Sequence, residues 1–191
     1  MTLANIAKAV NGSLHNAEQH VGEEAAGVVL DSRKVEAGYV FIATKGERVD
    51  GHTFIDAVFE KGALGVICEK APENPKGAYI VVEDSFQALK DVAAFYRKQL
   101  NIKVVGITGS VGKTSTKEFI AATLATHYQV LKTEGNFNNE IGLPLTVLRI
   151  RDNIEVAVLE MGISDFGEMH RLSSIAPPEV IDMQAERYVD R

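Results

Sequence analysis

Apolar side chains recur at Leu3, Ile6, Ala7 and Val10, the spacing of one helical face, and Asn11-Gly12 ends that run. Two short apolar stretches follow, Val28-Val29-Leu30 and Tyr39-Val40-Phe41-Ile42, with a polar, Gly-containing turn between them. Both are predicted strands. Phe54, Ile55, Val58 and Phe59 predict a helix that stops at Lys61-Gly62. Gly65-Val66-Ile67-Cys68 and Tyr79-Ile80-Val81-Val82 predict two further strands around the Pro- and Gly-bearing segment 71–77. Residues 1–84 thus form one small α/β domain. Ser85 is the expected N-cap of a long helix whose apolar face is Phe86, Leu89, Val92, Ala93, Tyr96 and Leu100, and residues 85–102 are the expected linker helix.

From Lys103 the pattern changes. Strands at 104–107 (all apolar), 128–131 and 156–159 alternate with helical stretches at 113–125, 143–150 and 167–175. This alternation predicts a parallel sheet built from right-handed crossovers, in a second domain over 103–191.

Composition adds limits. The 191 residues are 46% hydrophobic and carry a formal net charge of -6, with both signs interspersed. The chain can bury a core, and the charge argues against a general nucleic-acid or anionic-membrane binder. Cys68 is the single cysteine, lies in an apolar run and is expected to be buried. No disulfide can form within the chain, which fits a reducing compartment. The first residues lack a secretory pattern, and no run approaches the ~20 apolar residues of a membrane span, so a cytoplasmic protein without membrane insertion is expected.

The strongest chemical signal is Thr108-Gly109-Ser110-Val111-Gly112-Lys113-Thr114-Ser115, between a predicted strand and a predicted helix. Such a loop turns successive backbone N–H groups toward phosphate oxygens at the positive end of a helix. Gly109 and Gly112 let the backbone wrap closely, Lys113 reaches the β- and γ-phosphates, and the Thr114 hydroxyl suits Mg²⁺. ATP or GTP binding is therefore expected. A carboxylate should end a later buried strand to serve the metal, and Val156-Ala157-Val158-Leu159-Glu160 supplies Glu160. The loop departs from the general pattern at one position, where Ile107 replaces glycine.

That departure, with the threonine form of the loop, resembles the Mur ligases and folylpolyglutamate synthetases. Asp31-Ser32-Arg33-Lys34-Val35, Phe41-Ile42-Ala43, Gly46-Glu47-Arg48 and Asp50-Gly51-His52-Thr53-Phe54-Ile55 are similar to the UDP-binding domain of certain Mur ligases. The Asn-rich segment from Gly135 to Thr146 and Glu160-Met161-Gly162 resemble the branch of that family that adds D-alanyl-D-alanine. The resemblance covers about residues 1–177. It implies an ATP- and Mg²⁺-dependent amide ligase of peptidoglycan precursor synthesis that joins D-alanyl-D-alanine to UDP-N-acetylmuramoyl-tripeptide through an acyl-phosphate. Lys113 and Glu160 would be catalytic, Thr108 to Ser115 would bind ATP, and Thr114 and Glu160 would hold the metal. The substrate would meet Ser32, Arg33, Gly46, Asp50, Gly51, His52, Asn136, Asn138 and Asn139.

Physical readings stand beside these. The Ser32 hydroxyl and Arg33 guanidinium suit uracil, ribose or diphosphate oxygens, or else form a turn. Asp50-Gly51 is a ligand contact or a turn with His52 opening the next helix. The asparagines offer amide donors and acceptors to a sugar-peptide, and Asn138 or Asn139 also suits a helix cap before Pro144. His170 is expected on a helix surface. The segment after Pro177 shows no match to the family's next strand, so the P-loop ATPase domain is expected to be incomplete and the chain inactive as a ligase. Three parallel strands would leave an edge open, inviting self-association, with the tail after Pro177 covering or exchanging that edge. A non-catalytic nucleotide- or UDP-sugar-binding protein is the alternative from another class. A generic phosphate-loop kinase leaves residues 31–55 unexplained.

Overall fold

The computed structural model of the chain describes residues 1–47 and 49–184. Arg48, quoted above in the Gly46-Glu47-Arg48 motif, lies outside the described residues, as does the tail from Ala185. The chain divides into two compact units, Met1–Phe95 and Tyr96–Arg191, and the division falls inside one helix.

In the first unit, α1 (Leu3–Ala9) opens at Thr2, whose hydroxyl accepts a hydrogen bond from the Asn5 N–H at 3.3 Å. It closes at Val10, and Asn11 takes a left-handed φ of 50°. The strands are β1 (Ser13–His15), β2 (Gly27–Val29), β3 (Tyr39–Ile42), β4 (Gly65–Cys68) and β5 (Tyr79–Val81). They form one sheet in the order β1-β5-β4-β3-β2, parallel throughout except that β1 runs antiparallel to β5. The short helix α2 (Ile55–Glu60) buries Ile55 and Val58 in a cluster with Val35, Phe41, Val66 and Cys68. Cys68 is fully buried, and desolvation pushes its thiol up to about 11, so it packs as a small hydrophobe.

The long helix α3 (Ser85–Gln99) begins at the expected place, but Ser85 is not its cap. The Asp84 carboxylate accepts from the N–H groups of Phe86 at 2.8 Å and Gln87 at 3.0 Å. A carboxylate at this position also complements the helix dipole. Ser85 instead turns inward and donates its hydroxyl to Glu69 at 2.7 Å.

The second unit holds β6 (Lys103–Gly109), α4 (Lys113–Leu124), β7 (Val130–Lys132), α5 (Gly142–Val147), β8 (Val156–Glu160), α6 (Glu168–Ile175) and β9 (Val180–Gln184). The sheet is parallel, in the order β7-β8-β6-β9. On one face α4 lays Ile120, Ala121 and Leu124 over Val105, Ile107, Val156 and Val158. β7 starts two residues later than its apolar run begins, and Tyr128 stays exposed ahead of it.

A strand, β9, stands after Pro177, where the sequence showed no match to one, and the sheet therefore has four strands rather than the expected three. β9 pairs in parallel with β6 from Val105 opposite Val180 to Gly109 opposite Gln184, and so covers that edge. Its start is pinned by Glu179, whose carboxylate accepts from the Val104 N–H and whose own N–H donates to the Val104 carbonyl at 3.0 Å. Val180, Ile181 and Met183 remain exposed. Backbone pairing holds this edge strand more than burial does, which is why no buried apolar run announces it.

Candidate functional site

In an open parallel sheet, ligand sites form beyond the carboxyl ends of the strands, where the strand order reverses. In the second unit that place is the end of β6, since β7 and β8 lie to one side of it and β9 to the other. The chain leaves β6 through the predicted phosphate loop and enters α4 at Gly112, whose φ of 77° puts it in the left-handed region that favours glycine. Lys113 bends back over the loop and donates to the Gly109 carbonyl at 2.7 Å. The Thr108 hydroxyl is buried and donates to the Met161 carbonyl at 2.9 Å, tying the loop to the segment after β8. The Ser110 N–H donates to the Gln184 carbonyl at 3.0 Å. Val111 and Ser115 are exposed.

Glu160 ends β8 opposite Ile107 in the β6 register. Its side chain is buried, yet each carboxylate oxygen has a partner. Oε2 accepts from the Thr114 hydroxyl at 3.2 Å, and Oε1 accepts from the Asn138 amide at 3.0 Å. A hydroxyl and a carboxylate oxygen side by side next to a phosphate loop are the hard donor set that Mg²⁺ selects. Asn139 follows its local reading: its side-chain oxygen accepts from the N–H groups of Ile141 at 3.1 Å and Gly142 at 2.8 Å, at the start of α5. Asn136 is exposed on the same loop, and His170 is exposed on α6 as expected.

In the first unit the parallel strands β2, β3 and β4 end at one edge, and three predicted segments meet there. After β2, Asp31 caps a 3₁₀ turn, Ser32–Lys34. The Arg33 guanidinium lies back on the Asp31 carboxylate through Nε at 2.9 Å and Nη2 at 2.8 Å, and its side chain is 87% exposed. The Ser32 carbonyl accepts from the Lys61 ammonium at 2.8 Å. After β3, a tight loop is closed by the Gly46 N–H to the Val49 carbonyl at 3.0 Å and the Gly51 N–H to the Thr44 carbonyl at 2.8 Å. A Cβ on Gly51 would stand 2.9 Å from the Thr44 backbone, so this turn excludes a larger residue.

Asp50 caps the next 3₁₀ turn and accepts from both the N–H and the ring Nδ1 of His52, the latter at 2.7 Å. The backbone bond and then the ring bond hold the Asp50 carboxyl below its ordinary value. His52 and Asp50 line a pocket of about 410 Å³ with Lys45, Glu69, Lys70 and Asn74. Ser32 and Arg33 stand at the neighbouring strand end.

The sequence matches the Mur ligase family catalytic domain over residues 24–108 and the Mur ligase middle domain over residues 107–181. The chain belongs to the Mur ligase family. It is 48% identical over 180 residues to the UDP-N-acetylmuramoyl-tripeptide–D-alanyl-D-alanine ligase of Bacillus subtilis, covering 93% of this chain and 39% of that enzyme. Identity to the ligase of the same name in Escherichia coli K12 is 37%, covering 94% of this chain and 38% of the enzyme. A crystal structure of MurF from Acinetobacter baumannii superimposes with a TM-score of 0.86 at 36% identity, over 95% of this chain and 40% of that one. MurF ligase from Thermotoga maritima, solved in complex with ADP, gives 0.76 at 40% identity, over 85% of this chain and 38% of that one. The chain spans about two fifths of the length of these relatives.

Within this Mur ligase fold the sequence reading missed three residues. Lys117 is buried, with its ammonium 3.6 Å from Glu160 Oε2. Its position three residues after Thr114 and four after Lys113 was the available signal, because i+3 and i+4 share a helical face. Thr133 is fully buried just beyond β7, and its hydroxyl accepts from the Glu160 N–H at 2.9 Å. Glu69 directly follows β4, in the apolar-strand-then-carboxylate pattern that singled out Glu160.

Proposed function

We propose that this chain provides the UDP-substrate domain, residues 1–84, and the phosphate-loop part of an ATP-dependent amide ligase of peptidoglycan precursor synthesis. Residues 85–102 are the linker, its helix being α3 (Ser85–Gln99), and the ATP-binding part begins at residue 103. The complete reaction joins D-alanyl-D-alanine to UDP-N-acetylmuramoyl-tripeptide in the cytoplasm. One observation carries the reading: the Thr114 hydroxyl, the Asn138 amide and the Glu160 carboxylate converge beside Gly112 and Lys113. Similarity to relatives named for this reaction supports the substrate assignment.

ATP would transfer its γ-phosphoryl group to the tripeptide carboxylate, releasing ADP. The amine of D-alanyl-D-alanine would then attack the acyl-phosphate carbon and expel phosphate, forming the amide. Lys113 exchanges the Gly109 carbonyl for phosphate oxygens and stabilises the charge that develops on them. Thr114 and Glu160 would hold Mg²⁺, which neutralises phosphate charge when bound. Asn138 orients Glu160 through Oε1 and leaves Oε2 toward Thr114. In the first unit, Ser32, Arg33, Gly46, Asp50, Gly51 and His52 frame the uridine diphosphate end, while Asn136 and Asn139 border the sugar-peptide. The exposed apolar side chains of β9 form the contact for self-association.

The test is titration of a fluorescent ADP analogue with Mg²⁺ into the 191-residue chain and its Lys113→Ala variant, with a parallel calorimetric titration of UDP-N-acetylmuramoyl-tripeptide. Saturable binding of both, with the nucleotide lost in the variant, is the expected result. Nucleotide affinity unchanged by Lys113→Ala, or no binding of the UDP precursor, overturns the reading.

A further inference from the structure

Lys117 is a buried charge that neither the phosphate loop nor the substrate loops use. Its side chain is 2% exposed, and its ammonium lies 3.4 Å from Glu118 Oε1 and 3.6 Å from Glu160 Oε2. An ammonium so placed is tolerated only beside a countercharge. Glu118 lies half-exposed and is shared with Lys132, which leaves Glu160 as the buried carboxylate facing Lys117. The oxygen in question, Oε2, is the one that also meets the Thr114 hydroxyl. The two lysines and two glutamates balance, so the region holds no surplus negative charge.

We infer that Lys117 is a positioning residue that makes the metal site conditional on nucleotide. The inference rests on the reading of Thr114 and Glu160 as the metal-holding pair. With Lys117 in place, a free divalent cation approaching Glu160 meets a neutralised carboxylate and a like charge a few ångströms away. Repulsion at that range is strong where water is scarce. The phosphates of a bound nucleotide bring the missing negative charge, so metal and nucleotide bind as a unit. Lys117 also shares with Asn138 the task of fixing the carboxylate, one from each oxygen.

Mn²⁺ is the probe, because its paramagnetic resonance signal is lost on binding. The 191-residue chain is titrated with Mn²⁺ alone, and with a fluorescent ADP analogue in the presence and absence of Mn²⁺. Lys117→Met and Lys117→Gln are expected to bind free Mn²⁺ at least about tenfold more tightly than wild type, and Lys117→Arg to behave as wild type. A lysine with a merely structural role would lower stability on replacement without raising metal affinity. Equal free Mn²⁺ affinity in wild type and a folded neutral variant overturns the inference. So does wild type saturating with free Mn²⁺ at micromolar concentration, a result independent of whether any variant folds. If Mn²⁺ fails to tighten the ADP analogue in wild type, or still tightens it in Glu160→Gln, the metal site itself falls. Intact tightening with unchanged free-metal affinity removes only the role of Lys117.

Discussion

The Glu69 backbone N–H donates to Nε2 of His52 at 3.0 Å, which makes that ring nitrogen an acceptor and assigns the proton to Nδ1, facing Asp50 at 2.7 Å. Two strand ends are thereby joined: the loop after β3 supplies the imidazole, and the residue just after β4 supplies the amide. The chain of bonds continues from the Glu69 carboxylate to Ser85 at the start of α3. The His52 side chain is thus a structural strut as well as a wall of the pocket. His52→Ala leaves the Glu69 N–H without its partner, and the expected loss of stability is about 1–3 kcal/mol by denaturant unfolding. A loss below about 0.5 kcal/mol, the range of ordinary surface substitutions, would show that water replaces the ring without cost.

Asp31 and Arg33 make a pH-dependent contribution. Arg33 holds the Asp31 carboxyl down from 3.8 to about 2, first through its side chain and then through its backbone N–H. Because the folded value is the lower one, this stabilisation is fully present above pH 3.8 and is lost as pH falls through about 2. The pair is exposed, so solvent screening keeps its contribution small. The stability difference between wild type and Asp31→Asn is therefore expected to shrink between pH 6 and pH 2.5. A difference that stays constant over that range would mean Arg33 does not hold Asp31 in solution.

Most of the framework was legible because burial writes itself into sequence. The runs from Val40 to Ile42, Val66 to Cys68 and Val156 to Leu159 are buried and apolar, and each is a strand. The phosphate loop was legible because a strand, two glycines and Gly-Lys-Thr occur in order. What escaped was held by partners remote in sequence. β1 is three residues with little burial, held by β5 more than sixty residues away. β9 is an exposed edge, Lys117 looks like a solvated helix residue until Glu160 is placed opposite it, and Thr133 shows no local sign of receiving a backbone N–H from β8. The capping error had a different source. Asp84 and Ser85 are both good caps, and the choice turned on Glu69, which draws Ser85 inward.

Thr133 provides a test of how the carboxylate strand is anchored. Its hydroxyl accepts from the Glu160 N–H inside the protein, and its own N–H donates to the Val158 carbonyl at 3.0 Å. Thr133→Val keeps the shape but removes the acceptor, stranding a buried donor. The expected cost is about 1–3 kcal/mol, and Thr133→Ser, which keeps the acceptor, should lose less. If the valine and serine variants unfold at the same denaturant concentration, the hydroxyl is not what secures Glu160.

The edge strand β9 carries the prediction about assembly. Val180, Ile181 and Met183 are exposed along it, and the strand on its inner side, β6, satisfies one row of its backbone groups. Among the described residues no strand pairs with the outer row, and with apolar side chains beside it that row is a template for pairing with a second copy, since strand edges and apolar patches are what soluble proteins usually shield. The 191-residue chain is expected to self-associate in sedimentation velocity as its concentration rises. Met183→Lys places a charge on the exposed side of that edge, a common device against edge pairing, and should shift the population toward monomer without moving the unfolding midpoint by more than about 0.5 kcal/mol. Wild type that sediments as a monomer at high concentration, or association unchanged by Met183→Lys, would remove β9 as the contact.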